Sequence, residues 1–171
     1  MIKKFTDEEF LKLYDENYND YQIATALGVT PTPVRKRRCK FSLPIVFPKR
    51  QLQFLDILEQ SPKFSDELSI IGTSNIINGV FKALRAKGCP VTRFRFSGRG
   101  QGHAKLSKDY PNPFNIYYFE NQRVEAFNRV LERFPSNRIH WNLFGRPILG
   151  NLIAIGKNGK FVEKGCGVNE V

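Results

Sequence analysis

DYQIATALGVTPTPVRKRRCK, residues 20–40, is the stretch that decides the fold of the first part of this chain. Its small and apolar residues recur at the spacing of one helical face: Ile23, Ala24 and Leu27. Gly28 suits the left-handed conformation that ends many helices. Pro31 and Pro33 fit at or before the first turn of a following helix. The stretch therefore predicts a short apolar helix, a glycine turn and a densely basic helix over residues 32–41.

A capping box precedes this pair of helices. Thr6 can cap a helix N-terminus, and Glu9 can accept a hydrogen bond from the threonine amide. The helix that follows is expected to extend to about Asn17, and three helices within residues 1–44 predict a small trihelical bundle. The expected core comprises Phe10, Leu11, Tyr14, Ile23, Ala24, Leu27, Val29, Val34 and Phe41.

The three predicted helices resemble the helix-turn-helix unit of DNA-binding proteins. Ala24, ahead of Gly28, is small enough to let two helices cross closely over a tight turn. Units that end in an arginine-rich helix and then Leu-Pro, as Leu43-Pro44 does here, are frequent in phage and mobile-element proteins. The resemblance covers residues 5–44 and implies that the third helix enters a DNA major groove. Its candidate DNA-binding side chains, expected to be exposed, are Thr32, Arg35, Lys36, Arg37, Arg38 and Lys40. A solvated basic face or a nuclear-import run is the alternative interpretation.

The acids of this chain of 171 residues are unevenly distributed, and this matters more than the formal net charge of +11. Residues 21–55 contain seven Lys or Arg and no acid, and residues 68–108 contain eight Lys or Arg and no acid. A randomly mixed basic surface would not leave two such gaps. The pattern favours two separate surfaces that face a polyanion.

The middle of the chain gives a second pattern of helices and strands. Apolar periodicity predicts three helices, over residues 51–61, 65–72 and 73–88, and two strands, over residues 90–96 and 114–120. The loop between the strands, SGRGQGHAKLSKDYPNP, is basic and rich in glycine. This order of elements resembles a winged helix, with the loop as the wing. The alternative is an ordinary α+β domain with a long hairpin loop.

The winged-helix resemblance supplies a second set of candidate DNA-binding residues. Asn and Arg contact adenine and guanine edges bidentately, and glycine lets a loop approach phosphates closely. The candidates on the third helix of this domain are Ser74, Asn75, Asn78, Lys82 and Arg85. Those on the first strand and the wing are Arg93, Arg95, Arg99, His103 and Lys105, the last three facing the phosphate backbone.

The last part of the chain begins with an amphipathic helix over residues 122–134 and then becomes apolar and strand-like. Asn158-Gly159 predicts a hairpin turn between LIAI and FVE. Four large apolar residues either complete the core of the second domain or form a homodimer contact: Trp141, Phe144, Ile148 and Leu149.

These patterns predict an α+β protein. The expected organisation is a helix-turn-helix domain over residues 1–44, a linker over residues 45–50, a winged-helix-like domain over residues 51–134 and a C-terminal hairpin extension over residues 135–171.

The histidines and acids give the most direct test for catalytic chemistry. His140 has Asn142 close by and Asn151 beyond. His-metal nucleases also require a helix after the hairpin, and no helical pattern follows here. No pair of acids with a nearby lysine matches a paired-carboxylate nuclease; the candidate acids are Asp109, Glu120, Glu125 and Glu163. The three cysteines are widely spaced and give neither a zinc pattern nor a disulfide framework. The sequence therefore predicts no catalytic residue, no metal ligand and no cofactor.

The function favoured by the sequence is specific binding of double-stranded DNA through tandem modules, as in a phage, mobile-element or prokaryotic regulator. The alternative is a site-specific, homing-type endonuclease with a Mg²⁺-dependent core in residues 90–171, because many mobile-element nucleases carry an N-terminal helix-turn-helix. RNA binding through the same basic surfaces is a third possibility. No apolar run approaches the ~18–20 residues of a membrane span, and no secretory signal is evident. The expected location is the cytoplasm, in association with the nucleoid, or the host cytoplasm for a viral protein.

Overall fold

The computed structural model describes residues 5–99, 101–107, 112–135, 138–155 and 159–164. The chain divides into two units, Met1–Leu52 and Gln53–Val171. The prediction of an α+β protein is confirmed, because the described residues contain seven α-helices, a mixed five-stranded sheet and a two-stranded sheet.

Three helices make up most of the first unit: α1 (Asp7–Asp15), α2 (Asp20–Leu27) and α3 (Pro31–Lys40). α1 begins at the predicted capping box, where the Glu9 amide donates to Thr6 Oγ1 at 3.1 Å and the Thr6 amide donates to Glu9 Oε2 at 2.8 Å. Asn19 caps α2 by accepting hydrogen bonds from two backbone amides of its first turn. Gly28 follows with φ 66°, a left-handed conformation that is free of strain for glycine. The three helices therefore lie where the sequence predicts them.

The core between these helices is small and apolar. Its buried members are Phe10, Ile23, Ala24 and Val34. Around them pack further hydrophobic side chains, among which are Leu11, Tyr14, Leu27, Val29 and Phe41. The predicted core is therefore confirmed. After α3, the Tyr14 hydroxyl donates to the Pro44 carbonyl at 2.8 Å and fixes the chain that leaves the bundle.

The second unit contains the remaining elements. Its helices are α4 (Lys49–Gln60), which begins in the last residues of the first unit, α5 (Ser74–Ala86), α6 (Arg123–Arg133) and α7 (Gly145–Leu149). Its strands are β1 (Lys63–Phe64), β2 (Val91–Ser97), β3 (Ala104–Leu106), β4 (Phe114–Phe119), β5 (Ile139–Trp141), β6 (Leu152–Ile155) and β7 (Lys160–Glu163).

Five of these strands form one mixed sheet in the order β1-β4-β2-β3-β5. β2 and β4 are antiparallel, with Val91 opposite Phe119 and Phe96 opposite Phe114. β3 lies parallel to the end of β2, where Ala104 is the neighbour of Phe96. β1 pairs with β4, and β5 pairs with β3, both in antiparallel orientation.

The two faces of this sheet pack on different layers, because successive side chains of a strand point to opposite sides. On one face Phe94 contacts Phe127 of α6, with ring centroids 5.0 Å apart. On the other face Tyr117 contacts Phe54 of α4 at 5.6 Å and Phe81 of α5 at 5.5 Å. The sheet is thus the middle layer between α4 and α5 on one side and α6 on the other.

The helix predicted over residues 65–72 is wrong. The chain forms successive turns there, with hydrogen bonds from the Ile71 amide to the Leu68 carbonyl at 2.9 Å and from the Gly72 amide to the Ser69 carbonyl at 3.1 Å. Leu68 and Ile71 are buried. Successive turns thus bury the apolar residues whose spacing suggested a helix.

The connection between β2 and β4 is not the simple wing loop that the sequence predicts. Its residues 104–106 form β3, and the chain before them passes close to β2. A Cβ atom on Gly102 would lie 2.7 Å from the Arg95 carbonyl oxygen, and the His103 amide donates to that carbonyl at 2.9 Å. Because only glycine fits such an approach, Gly102 lets the chain turn back and run parallel to β2 after a short connection.

The segment after α6 completes the core of the second unit, which is one of the two roles predicted for it. Ile139, Leu152 and Phe161 are buried in the same cluster as Phe94 and Phe96. Of the four large apolar residues with two predicted roles, three pack against this cluster, namely Trp141, Ile148 and Leu149. The fourth, Phe144, is exposed.

β6 and β7 form the predicted C-terminal hairpin, with Ile155 opposite Lys160 in the register. Gly159 takes up φ 61°, as expected of a hairpin turn. Asn158 lies outside the described residues. No helix in the part of the chain that the structure describes has the length and apolarity needed to cross a membrane.

Candidate nucleic-acid interface

Arg38 is the candidate whose placement differs most from expectation. Only 7% of the residue is exposed, so the prediction that it faces solvent is wrong. Its Nε donates to Asp20 Oδ1 at 3.0 Å and to Oδ2 at 3.2 Å, and its Nη1 donates to the Leu43 carbonyl at 3.1 Å. Arg38 lies four residues after the buried Val34, on the same helical face, and this spacing is the signal that could have indicated its burial. Its guanidinium links α3 to α2 and is not available to DNA.

Arg37 is half-buried and is engaged by groups of its own unit. Its guanidinium is hydrogen-bonded to Asp7 of α1 and lies 4.8 Å from the centroid of the Phe5 ring. Lys40 approaches the same carboxylate, Nζ to Asp7 Oδ2 at 3.3 Å, but most of its side chain is exposed. We therefore withdraw Arg37 and Arg38 from the candidate interface and keep Lys40.

The outward face of α3 is polar, basic and free of acids. Its exposed residues follow one another at the spacing of a single helical stripe: Thr32, Arg35, Lys36, Cys39 and Lys40. Among the described residues, Arg35 and Lys36 have no ion-pair partner. Arg37 and Arg38 are thus paired with acids of the neighbouring helices, whereas Arg35 and Lys36 on the outward face are not; Lys40, at the end of the stripe, is exposed but approaches Asp7.

α5 presents a comparable stripe in the second unit. Its exposed residues are Ser74, Asn75, Gly79, Lys82, Arg85 and Ala86. The Arg85 Nη1 donates to the Val91 carbonyl at 3.1 Å, which holds this side chain against the start of β2. Lys82 has no ion-pair partner among the described residues. The stripe contains no acid.

Asn78 and Arg93 serve to join α5 to the sheet. The Arg93 guanidinium donates to Asn78 Oδ1 and lies 5.1 Å from the centroid of the Phe81 ring. The Tyr117 hydroxyl approaches the same amide oxygen at 3.5 Å. Both candidates are half-buried, so their role is to orient α5. Arg95 is also half-buried, and its Nε has no hydrogen-bond partner in the part of the chain that the structure describes.

Gly79 is a feature of α5 that the sequence pattern did not single out. It lies within the helix, where glycine is roughly 1 kcal/mol less favourable than alanine. A Cβ atom at this position would meet no described atom within 4 Å, so internal packing does not require glycine. The signal that could have found it is an isolated glycine in the middle of a strong helical pattern.

His103 is built into the sheet and does not project from a wing. Its Nδ1 accepts a hydrogen bond from the Arg95 amide at 3.1 Å, and its ring lies 5.0 Å from the Phe94 ring. Burial, with the nearby charges of Arg93 and Arg95, lowers the pKa of His103 below its usual range. Because Nδ1 accepts this hydrogen bond, the ring is neutral and its proton is on Nε2. His103 therefore supplies no positive charge to a phosphate, and the expected charged contact is withdrawn.

Arg99 and Lys105 remain exposed as expected. Lys105 lies on β3, where its register partner on β5 is His140, and His140 is also exposed. These two residues and Ser97 share one face of the sheet, so Lys105 places a positive charge on that face beside β2.

The residues considered for nuclease chemistry are spread over separate contacts. His140 is exposed on β5, while the Asn142 side chain donates to the Gly102 carbonyl at 2.7 Å. Asn151 and Glu163 both accept hydrogen bonds from Arg123. Asp109 lies outside the described residues. No group of three or more His, Cys, Asp or Glu side chains within the described ranges could hold a metal ion.

Comparison of the chain with protein-family models, curated proteins and solved structures gives no significant match.

Proposed function

We propose that this protein binds double-stranded DNA through two modules, a helix-turn-helix formed by α2 and α3 and a winged-helix-like module built on α5. In this proposal α3 and α5 each present their outward stripe to a DNA groove. The contacts to base edges and phosphates come from Arg35, Lys36 and Lys40 in the first module, and from Asn75, Lys82 and Arg85 in the second.

The separation of cations in α3 is the observation that carries the proposal. Arg37 and Arg38 are neutralised by Asp7 and Asp20, acids that come from the other two helices of the bundle. Arg35 and Lys36 are left exposed, and no acid lies on their face of α3. A solvated helix face usually mixes charges of both signs, because opposite charges at helical spacing stabilise the helix. A face that keeps only cations fits a polyanionic partner.

The exposed stripe of α5 supports the same partner. It combines Asn75, Lys82 and Arg85 with Gly79, so polar and cationic groups stand beside a place where the helix backbone is bare. A bare helix backbone permits the closest approach to a groove wall or to a phosphate. Two linked modules would raise the apparent affinity for one duplex, because the second binding event is intramolecular.

The proposal is tested by selecting bound duplexes from a random-sequence pool and measuring their affinity for single variants. Arg35→Ala should weaken binding and lower the salt slope of log K by about one unit, since one phosphate contact is lost. The matched control is Lys12→Ala, which removes one exposed cation from α1 in the same unit. This control should leave both quantities nearly unchanged.

Two results would contradict the proposal. The first is that the selection yields no enriched duplex and the protein shows no salt-dependent binding to DNA. The second is that Arg35→Ala and Lys12→Ala have the same effect on binding. The contribution of α3 would then be only its positive charge and not a specific contact with DNA. If the protein prefers single-stranded or A-form RNA in a competition experiment, the basic surfaces bind RNA and not double-stranded DNA.

A further inference from the structure

Leu143 and Phe144 form an exposed apolar tip on the second unit. Each is 73% exposed, and within the described residues no other two consecutive large hydrophobic side chains are both exposed. Single exposed hydrophobic residues are common on protein surfaces, and Ile70, which is 72% exposed, is an example here. Two adjacent ones at the end of a turn indicate a contact made with a partner.

The turn that carries this tip is held firmly. The Asn142 amide donates to the His103 carbonyl at 3.1 Å, and the Asn142 side chain donates to the Gly102 carbonyl at 2.7 Å. The Gly145 amide closes the turn on the Asn142 carbonyl at 3.0 Å. Asn142 therefore fixes the turn to the chain that connects β2 to β3, which is the connection that would carry the wing.

Gly145 brings the turn closer to that connection than any other residue could. A Cβ atom at this position would lie 2.3 Å from the His103 carbonyl oxygen. Immediately before the turn, the Trp141 ring contacts Phe94 at 5.7 Å and Phe161 at 6.1 Å. The tip is thus anchored on both sides, so the two side chains are held out at little further cost in conformational entropy.

The charges around the tip complement nucleic acid. Residues 133–162 contain no acid, which makes this segment a third acid-free stretch of the chain. Its basic residues are Arg133, Arg138, Arg146, Lys157 and Lys160. Of these, Arg133 is ion-paired with Asp66, and Lys157 lies outside the described residues. Arg146 is exposed two residues after Phe144, and Lys105 and His140 are exposed on the paired strands β3 and β5. A tip that enters a duplex must lie between phosphates, and a surround that contains cations and no acid fits that position.

We propose that Leu143 and Phe144 are an apolar wedge that inserts between base pairs of double-stranded DNA and bends it. The inference rests on the proposed function, because the wedge acts on the same duplex that α5 contacts. Proteins that insert apolar side chains between base steps partly unstack them, kink the duplex and thereby extend the contact surface. In this chain, Arg146 and Lys105 would hold the flanking phosphates.

The test measures DNA bending by energy transfer between dyes at the two ends of a mixed-sequence duplex. The duplex is several times shorter than the persistence length of about 150 bp, so a change in end-to-end distance reports a kink. The wild-type protein should shorten the distance between the dyes. Leu143→Ser with Phe144→Ser should abolish that shortening and lower the affinity about tenfold, because the contacts that the bend permits are lost.

Two further variants sharpen the test. Phe144→Leu should retain the bend, because a wedge needs apolar volume and not aromaticity. Ile70→Ser removes an equally exposed hydrophobic side chain elsewhere in the same unit and should leave both bending and affinity unchanged. Thermal melting of each variant without DNA should match the wild type, since these side chains are not part of the core.

The outcomes separate the wedge from the proposed function. If the wild-type protein binds the duplex without shortening the distance between the dyes, or if the double serine variant still bends it, the wedge proposal is wrong and the proposal of DNA binding stands. If the double variant instead converts a dimer to a monomer in sedimentation experiments while bending persists, the tip is a self-association contact. If the wild-type protein binds no duplex at all, the proposed function fails first.

Discussion

Arg35 and Arg38 are three residues apart on α3, and their surroundings give them opposite roles. Arg38 is enclosed, and it satisfies the Asp20 carboxylate and the Leu43 carbonyl together. Arg35 is exposed and touches neither. At the scale of a single residue, the identity of the side chain therefore says less than the face of the helix on which it lies.

Arg38→Ala should destabilise the first unit by about 3 kcal/mol, because it leaves Asp20 as a largely enclosed charge without its partner. Arg35→Ala should change stability by no more than about 0.5 kcal/mol, as expected of an exposed position. Urea unfolding followed by far-ultraviolet circular dichroism measures both. Equal losses for the two variants would show that the Arg38 pair does not stabilise the bundle.

His103 should make the stability of the second unit depend on pH. The folded protein lowers the pKa of His103, so the unfolded chain binds a proton more readily than the native one. Stability is then highest above the ordinary histidine pKa of about 6.5 and falls as the pH drops towards the folded pKa. His103→Gln should flatten this fall as the pH drops through about 6.5 and below.

The measurement for His103 is urea unfolding monitored by fluorescence of Trp141, the single tryptophan of the chain. Because Trp141 packs against the Phe94 ring that also contacts His103, its emission reports on the relevant part of the core. A wild-type stability that stays constant or rises on acidification would contradict the assignment of His103 as a neutral hydrogen-bond acceptor.

At the scale of an element, α5 combines a buried face that is strongly apolar with an exposed face that is bare at Gly79. Gly79→Ala should stabilise the free protein by up to about 1 kcal/mol, since alanine is the better helix former and its methyl group meets open space. The same change should weaken DNA binding about tenfold, or ~1.4 kcal/mol, if a groove wall approaches the helix backbone.

Thermal melting and fluorescence anisotropy on the same Gly79→Ala sample separate the two effects. A variant that is more stable and binds DNA as well as the wild type would show that nothing approaches the helix at this position. A variant that loses stability would show that the glycine serves the fold.

The helices α1 to α6 were predictable from sequence because their signals are local, whereas the five-residue α7 was not. Thr6 with Glu9, and Gly28 after Leu27, mark helix ends within a few residues, and the apolar spacing of α5 and α6 spans several turns. β1 and β3 were not predicted, because strands of two or three residues carry no measurable alternation. Their existence depends on partners far away in the chain, β4 for β1 and β5 for β3.

The candidate site was predictable in part for the same reason. The position of the basic helix and its exposed Arg35 and Lys36 follow from local spacing. The loss of Arg37, Arg38 and His103 from the site could not be predicted from local spacing alone, because each side chain is held by a contact that only the folded chain creates.

At the scale of the whole molecule, the proposal has two units that bind one duplex. The affinity should then rise in one step, by between about 10² and 10⁴, when a duplex becomes long enough to engage both units. A series of duplexes of increasing length, measured by fluorescence anisotropy at one salt concentration, tests this. A smooth increase without a step would assign the affinity to one unit alone.

The pairing of β3 with β5 has a consequence for folding during synthesis, because β5 leaves the ribosome after β3. The first unit depends on contacts within its own few helices, so it can fold as soon as it leaves the ribosome. The second unit cannot, because Phe94 of β2 shares its core with Ile139, Leu152 and Phe161. Until those later residues emerge, β3 presents an unpaired strand edge, and unpaired edges promote aggregation. We expect the nascent chain to pass through a stage in which its N-terminal bundle is folded while β3 still lacks its partner β5.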